Sequence, residues 1–314
     1  MVNESSAAPG GAAAAGTVSL GGDITVNRLG FGAMRVTGEG IWGPPADRAE
    51  CIRVLRRAVE LGVDFIDTAD SYGPDVSEEL IAEALAPYPD GLVIATKAGL
   101  LRDGPNQWRP DGRPEHLREA CEGSLRRLGL DQIPVFQLHT PDAAVPFEDS
   151  VGALVALREE GKIRHVALSN VGVDELRQAL ELTPIVSVQN RYNPSDRRSD
   201  PVLDLATELG VAFIPWAPVG GHRPGEGRDV AAVARRHGAT PVQVALAWLL
   251  ARSPQMLPIP GTKSVAHLEE NVAAASLALT DDDLAELAEP PRPAPRWQRA
   301  PRSALRRARG RGSR

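Results

Sequence analysis

The sequence predicts an α/β chain folded as a closed parallel barrel, (β/α)8. Three observations carry the prediction. Eight short apolar runs alternate with amphipathic stretches along the 314 residues. The runs are nearly continuous in apolar residues, as expected of strands covered on both faces in a parallel sheet. Eight such units match the closed barrel of about 250 residues better than an open doubly wound sheet. No G-x-G-x-x-G follows the first run, which weakens the dinucleotide-fold alternative.

The expected strands read RLGFGAM (28–34), VDFID (63–67), LVIATK (92–97) and PVFQLH (134–139), then HVALSN (165–170), IVSVQ (185–189), VAFIPW (211–216) and MLPIP (256–260). Ahead of them, TVSLGGDITV reads as a hairpin turning at Gly21-Gly22 and covering the bottom of the barrel. DRAECIRVLRRAVELG reads as a helix capped by Asp47 and ending at Gly62. Cys51, Ile52, Leu55, Ala58 and Val59 lie on one stripe of it. RPEHLREACEGSLRRLGL, FEDSVGALVALREEG and SDPVLDLATELG repeat the pattern. TPVQVALAWLLARS follows Thr240 as cap, with Pro241 as its first residue. SVAHLEENVAAA follows the last strand, and a short helix begins at Thr280.

The expected organisation is a disordered tail over 1–16, a barrel over 17–289 and a disordered tail over 290–314. The last segment holds nine arginines and no acid within a net charge of −6. The remaining body is therefore acidic and lacks a broad basic face for nucleic acid. No apolar run of about 18 residues occurs, so no membrane span is expected, and the N-terminal stretch has no signal-peptide pattern. Two lone cysteines, Cys51 and Cys121, form neither a disulfide framework nor a zinc site. A reducing cytoplasm is the expected compartment.

Polar residues collect where the expected strands end. Asp67 closes the second, Lys97 the third and His139 the fourth. Ser169 and Asn170 close the fifth, Gln189 the sixth and Trp216 the seventh. In a barrel these ends surround one mouth. Tyr72, five positions after Asp67, can reach over it. Carbonyl reduction needs hydride at carbon and a proton at oxygen. Tyrosine is a reluctant acid, and a neighbouring ammonium should lower its pKa. Asp67 would hold Lys97 charged, and a neutral His139 would orient the carbonyl oxygen. Each residue alone also has a structural reading: a loop cap, a strand-end charge, an interior histidine, a packed ring.

FIDTADSYG, VIATKAGL, FQLHTPD, ALSN, VQNRYNP and IPGTKSVAHLEEN, in that order, resemble the aldo-keto reductase superfamily over roughly residues 17–289. The resemblance implies a nicotinamide cofactor at the barrel mouth and the tetrad Asp67, Tyr72, Lys97 and His139, with Tyr72 as proton donor. It also implies that Ser169, Asn170 and Gln189 bond the carboxamide and that Trp216 stacks on the nicotinamide, where tyrosine is common. Packing in the core is the other reading of Trp216. Gly261, Thr262, Lys263 and Ser264, followed by His267, Glu270 and Asn271, resemble the family's adenosine-phosphate clasp, a helix N-terminus suited to an anion. NADPH is the implied cofactor. His267 stands where many members carry arginine, which leaves NADH as an alternative.

For the substrate, Trp42 and Trp108 are candidate pocket walls. Arg109 is either an anion contact or a surface charge. The opening VNRLGFGAMRVTGEGIWGPPADR, with the IPGTKSVAHLEEN clasp, is especially similar to bacterial pyridoxal reductase-like members, which makes pyridoxal/pyridoxine a leading candidate substrate pair. The expected partners are small carbonyl molecules only, with no membrane and a monomer or weak oligomer. Two other readings stand beside the reductase. One is a Schiff-base aldolase through Lys97; the other is a redox-sensing subunit that binds NADP(H) without turnover.

Overall fold

A computed structural model describes residues 11–220 and 228–288. Residues 1–10 of the expected N-terminal tail and the whole of 290–314 lie outside them. Within the described part of that tail, Ala12–Ala15 forms a 3-10 turn. Ala12 is buried and donates its N–H to Leu61 O. A small side chain packing at the end of a helix explains why this stretch folds.

The chain opens with the expected hairpin, strands β1 (Thr17–Leu20) and β2 (Ile24–Asn27). Its turn uses Gly21 and Gly22 at φ 66 and 84, where other residues are strained. Alternation turns Val18, Leu20, Ile24 and Val26 inward, and they pack with Phe65, Val135, Ala167 and Ala212 inside the barrel. The hairpin thus plugs the barrel bottom. Asp23 fastens it there, accepting from Arg164 and bonding His165 Nε2.

Strand β3 (Phe31–Gly32) is shorter than expected because the chain turns at Ala33 into a 3-10 helix. Helix α1 (Arg48–Glu60) follows, with Asp47 accepting from Glu50 N. Its buried stripe is Cys51, Val54, Leu55 and Ala58; Ile52 and Val59 are only half-buried. Next come β4 (Phe65–Asp67), α2 (Val76–Leu85) and β5 (Val93–Ala98). A second hairpin, β6 (Leu100–Gly104) and β7 (Gln107–Pro110), stands over the mouth. The chain continues through α3 (Pro114–Leu128), β8 (Ile133–Leu138), α4 (Phe147–Glu159), β9 (Ile163–Ser169), α5 (Val173–Leu182) and β10 (Ile185–Arg191). The described residues end with α6 (Asp200–Leu209), β11 (Ala212–Trp216), α7 (Arg228–Arg236), α8 (Pro241–Arg252), α9 (Val265–Ala273) and α10 (Asp281–Ala288).

The main sheet runs β11-β10-β9-β8-β5-β4-β3, all parallel. The expected eighth strand, 256–260, closes the ring without becoming a regular strand. Phe213 N donates to Gln255 O, Leu257 N to Phe213 O, and Gly30 N to Pro258 O. Pro258 and Pro260 lack an N–H, so a continuous ladder cannot form. The barrel expectation holds.

Helices α2, α5 and α7 fall where the sequence reading names none. For α2 and α5 the start signal is missing. Asp75 before α2 makes no side-chain cap, and α5 begins after Gly172, whose N–H is capped by Glu175. α8 starts as expected: Thr240 accepts from Gln243 N, and Pro241 is its first residue.

Candidate active site

The strands deliver their terminal side chains to one mouth. Asp67 ends β4, Lys97 lies near the end of β5, and His139 follows β8, its N–H extending the ladder to Ala98 O. Tyr72 comes from the loop between β4 and α2. That loop is pinned by Thr68 Oγ1 donating to Ser77 Oγ, and Ser77 Oγ donating to Ala33 O.

Lys97 is fully buried and uses all three of its donors. They go to Asp67 Oδ2 at 2.7 Å, Thr68 O at 2.8 Å and Tyr72 Oη at 3.2 Å. Asp67 Oδ1 accepts from Gln137 Nε2 at 2.9 Å and Gln189 Nε2 at 2.8 Å. The Tyr72 and His139 rings meet edge-on at 5.9 Å, and Trp108 stands 6.4 Å from each. His139 Nδ1 lies 3.4 Å from Ser71 Oγ.

The electrostatics differ from expectation at the tyrosine. Burial pushes the Tyr72 hydroxyl above its ordinary pKa, and the Lys97 charge opposes this without overcoming it. The ammonium faces the Asp67 carboxylate at closer range, so much of its field is spent there. Tyr72 therefore holds its proton firmly. Burial draws the Lys97 ammonium down, but Asp67 and Tyr72 together reverse this, and the net shift is upward. Burial and the Lys97 charge hold His139 well below its usual range, so the imidazole is neutral, as the sequence reading requires.

A cavity of about 830 Å³ opens above this cluster, within the size range of small-molecule sites. Tyr72, Trp108 and His139 line it from the loop after β4, from β7 and from just after β8, and Thr262, His267, Glu270 and Asn271 from α9 and the segment before it. Ser169, Asn170, Gln189 and Trp216 line it from the C-terminal ends of β9, β10 and β11. Lys97 sits beneath, behind Tyr72. Trp42 and Lys263 are not among the lining residues. Trp42 is half-exposed on the loop before α1, its ring 5.7 Å from the Arg102 guanidinium. Lys263 projects from the exposed segment before α9. Arg109 pairs loosely with Asp103 at 3.4 Å on the surface, as its surface-charge reading expects.

The polar middle of the cavity is organised. Asn170 takes a left-handed φ of 58; its Nδ2 donates to His139 O and Ser169 Oγ, while its Oδ1 accepts from Trp216 Nε1. Ser169 Oγ donates to Gln189 O. Asn271 is largely buried and lines the cavity from α9. At Gly261 a Cβ would stand 2.4 Å from Gly32 O, and at Gly32 one would stand 2.6 Å from Ile259 O. These glycines keep the backbones close and leave that wall of the cavity smooth. A cavity lined by the amides of Asn170, Gln189 and Asn271 and the hydroxyls of Ser169 and Thr262 fits a dinucleotide.

Sequence reasoning missed Gln137, Arg102, Arg35 and Arg191. Gln137 is a polar residue inside an apolar run, two before His139 and on the same face, a signal that could have found it. Arg35 and Arg191 line the cavity, and Arg191 also pairs with Asp196 and lies 5.3 Å from the Trp216 ring.

The Aldo/keto reductase family model matches residues 28–290. An uncharacterized oxidoreductase of Schizosaccharomyces pombe is 51% identical over 279 residues, 88% of this chain and 90% of that one. Pyridoxine 4-dehydrogenase of Escherichia coli is 45% identical over 272 residues, 85% of this chain and 95% of that one. Among solved structures, an aldo/keto reductase from Klebsiella pneumoniae in complex with NADP and acetate superposes with a TM-score of 0.73 at 27% identity, covering 88% of this chain and 96% of that one. The chain belongs to the aldo/keto reductase family and is an oxidoreductase.

Proposed function

We propose that the chain reduces an aldehyde or ketone to an alcohol with NADPH, within a single catalytic barrel spanning 17–289, and that pyridoxal is its substrate. The observation that carries the reading is the Asp67–Lys97–Tyr72 chain, at 2.7 and 3.2 Å, under the cavity floor. NADPH is supported by the cavity's size and donor set, and by the NADP held in the Klebsiella relative. Pyridoxal is supported by the 45% identity to the E. coli enzyme, and by the aromatic edges of Trp108 and His139 beside Tyr72, which suit a flat ring.

Ser169, Asn170, Gln189, Trp216, Thr262 and Asn271 would hold NADPH, with Lys263 at its 2′-phosphate. Bound NADPH supplies the hydride. Tyr72 gives its proton to the carbonyl oxygen as negative charge develops there, and solvent returns it later. The Lys97 ammonium stabilises the resulting phenolate, and Asp67, held by two glutamines, keeps that ammonium in place. Neutral His139 donates a hydrogen bond to the same oxygen without adding a second cation. Lys97 acts here as a charged donor; an aldolase would need it neutral, and Asp67 opposes that.

The test is cofactor oxidation by the purified protein, with NADPH and NADH compared, against pyridoxal and a panel of simple aldehydes and ketones. NADPH oxidation fastest with pyridoxal is expected. Turnover of other carbonyls alone would discard pyridoxal. Tight NADPH binding without any turnover would replace the reductase reading with that of a sensing subunit.

A further inference from the structure

Arg102, on β6, makes an unusual set of contacts above the barrel mouth. Nε donates to Gln107 O at 3.2 Å. Nη1 donates to Ile41 O at 2.6 Å and Ser71 O at 3.0 Å. Nη2 donates to Gly40 O at 2.9 Å and Gly104 O at 3.2 Å. Every acceptor is a backbone carbonyl, and none is a carboxylate. The carbonyls belong to separate stretches: the loop before α1, the loop carrying Tyr72, and the β6–β7 hairpin itself. The guanidinium also lies over Trp108, 3.7 Å from the ring centroid.

We propose that Arg102 is a positioning residue that clips these three loops together and holds Trp108 edge-on to Tyr72 and His139, thereby setting the substrate side of the site. A planar fork with five donors can reach carbonyls of three loops at once, whereas a lysine ammonium has three donors at a single point. A cation held over the ring at that distance also ties the indole in place. The contacts of Arg102 stop at the substrate side. Ser71, whose carbonyl it holds, is bonded to Tyr72 in the chain and faces His139 Nδ1 through its hydroxyl. None of its bonds reaches Ser169, Asn170, Gln189 or the α9 clasp. Arg102 therefore acts on carbonyl binding rather than on cofactor binding. The effect on substrate rests on the reductase reading; the clip itself does not.

Two measurements test it. The first is amide hydrogen exchange. In the unaltered chain, residues 38–44, 69–73 and 102–110 should share one protection level and open together. In Arg102→Lys all three should exchange faster while β8, β9 and β10 keep their protection. Separate protection levels in the unaltered chain, or loosening of the hairpin alone, would overturn the clip. The second is kinetic. Arg102→Lys should raise KM for the carbonyl by about tenfold, with kcat changed less than about threefold and NADPH affinity unchanged. In a Trp108→Ala background the same substitution should add less than about twofold, because it acts through that ring. Additive effects, or full rescue by lysine, would overturn the positioning role. If the unaltered chain turns over no carbonyl, the reductase reading fails and the exchange result still decides the clip.

Discussion

Replacing Tyr72 by phenylalanine removes the proton donor and very little else. The ring is buried and keeps its edge contacts with Trp108 and His139. What is lost is the hydroxyl and its 3.2 Å bond from Lys97. Lys97 retains Asp67 and Thr68 O, so one N–H of three loses its acceptor. Leaving that buried donor unpaired costs about 1–3 kcal/mol. For a barrel of this size each kcal/mol corresponds to about 2–4 °C in Tm. The variant should therefore fold and melt several degrees lower. Catalysis should suffer far more. Positioned general acids contribute about 10²–10⁴-fold, equivalent to about 2.7–5.4 kcal/mol of barrier. The NADPH affinity should change by less than about threefold, since Tyr72 lies on the substrate side of the site. The assay is single-turnover decay of reduced-nicotinamide absorbance at saturating carbonyl, alongside a fluorescence titration of NADPH binding. A chemical step within about tenfold of the unaltered enzyme would refute Tyr72 as the acid.

Other expectations follow from the same geometry. The acid must be protonated and Tyr72 is shifted upward, so kcat/KM for reduction should stay flat through neutral pH and fall only above about 10; an alkaline limb centred near 8 would contradict the buried, protonated tyrosine. The downward shift of His139 keeps it neutral, so no acid limb should appear near 6.5; one that vanishes in His139→Asn would show that the imidazole titrates there. Lys97→Met leaves the buried Asp67 carboxylate with amide donors alone and should destabilise the fold by about 3–5 kcal/mol, with kcat down at least about 10²-fold; calorimetry showing an unchanged or higher Tm would rule out a compensated buried pair. Lys263→Ala should weaken NADPH by about fivefold and leave NADH alone, the scale of one solvent-screened charge pair; equal losses for both cofactors in direct titrations would remove Lys263 from the 2′-phosphate.

Much of this is legible in the sequence, but not evenly. Asp67, Lys97 and His139 could be placed at one mouth because strand ends in a parallel barrel share a face. The capped helices α1 and α8 were legible from Asp47, Thr240 and Pro241. Helices α2 and α5 were not, because Asp75 makes no side-chain cap before α2 and the residue before α5 is Gly172, which has no side chain to mark the start. The hairpin that brings Trp108 to Tyr72 also escaped. Its residues LLRDGPNQWRP show no clean alternation, and β6 and β7 are half-exposed rather than core strands.

The sequence by itself determined the alternation of strand and helix, the hairpin under the barrel and the identity of the groups at strand ends. These are local properties: periodicity, turn residues and position relative to a strand terminus. Only the tertiary structure decided how the groups act on one another. Gln137 and Gln189, 52 residues apart, meet on one carboxylate oxygen of Asp67. Arg102 ties three loops whose sequences carry no mark of the contact. The pKa of Tyr72 rises where pairing with lysine alone would lower it. Each depends on desolvation and on distances between segments remote in the chain, which are fixed only when the barrel closes and buries these groups beneath its mouth.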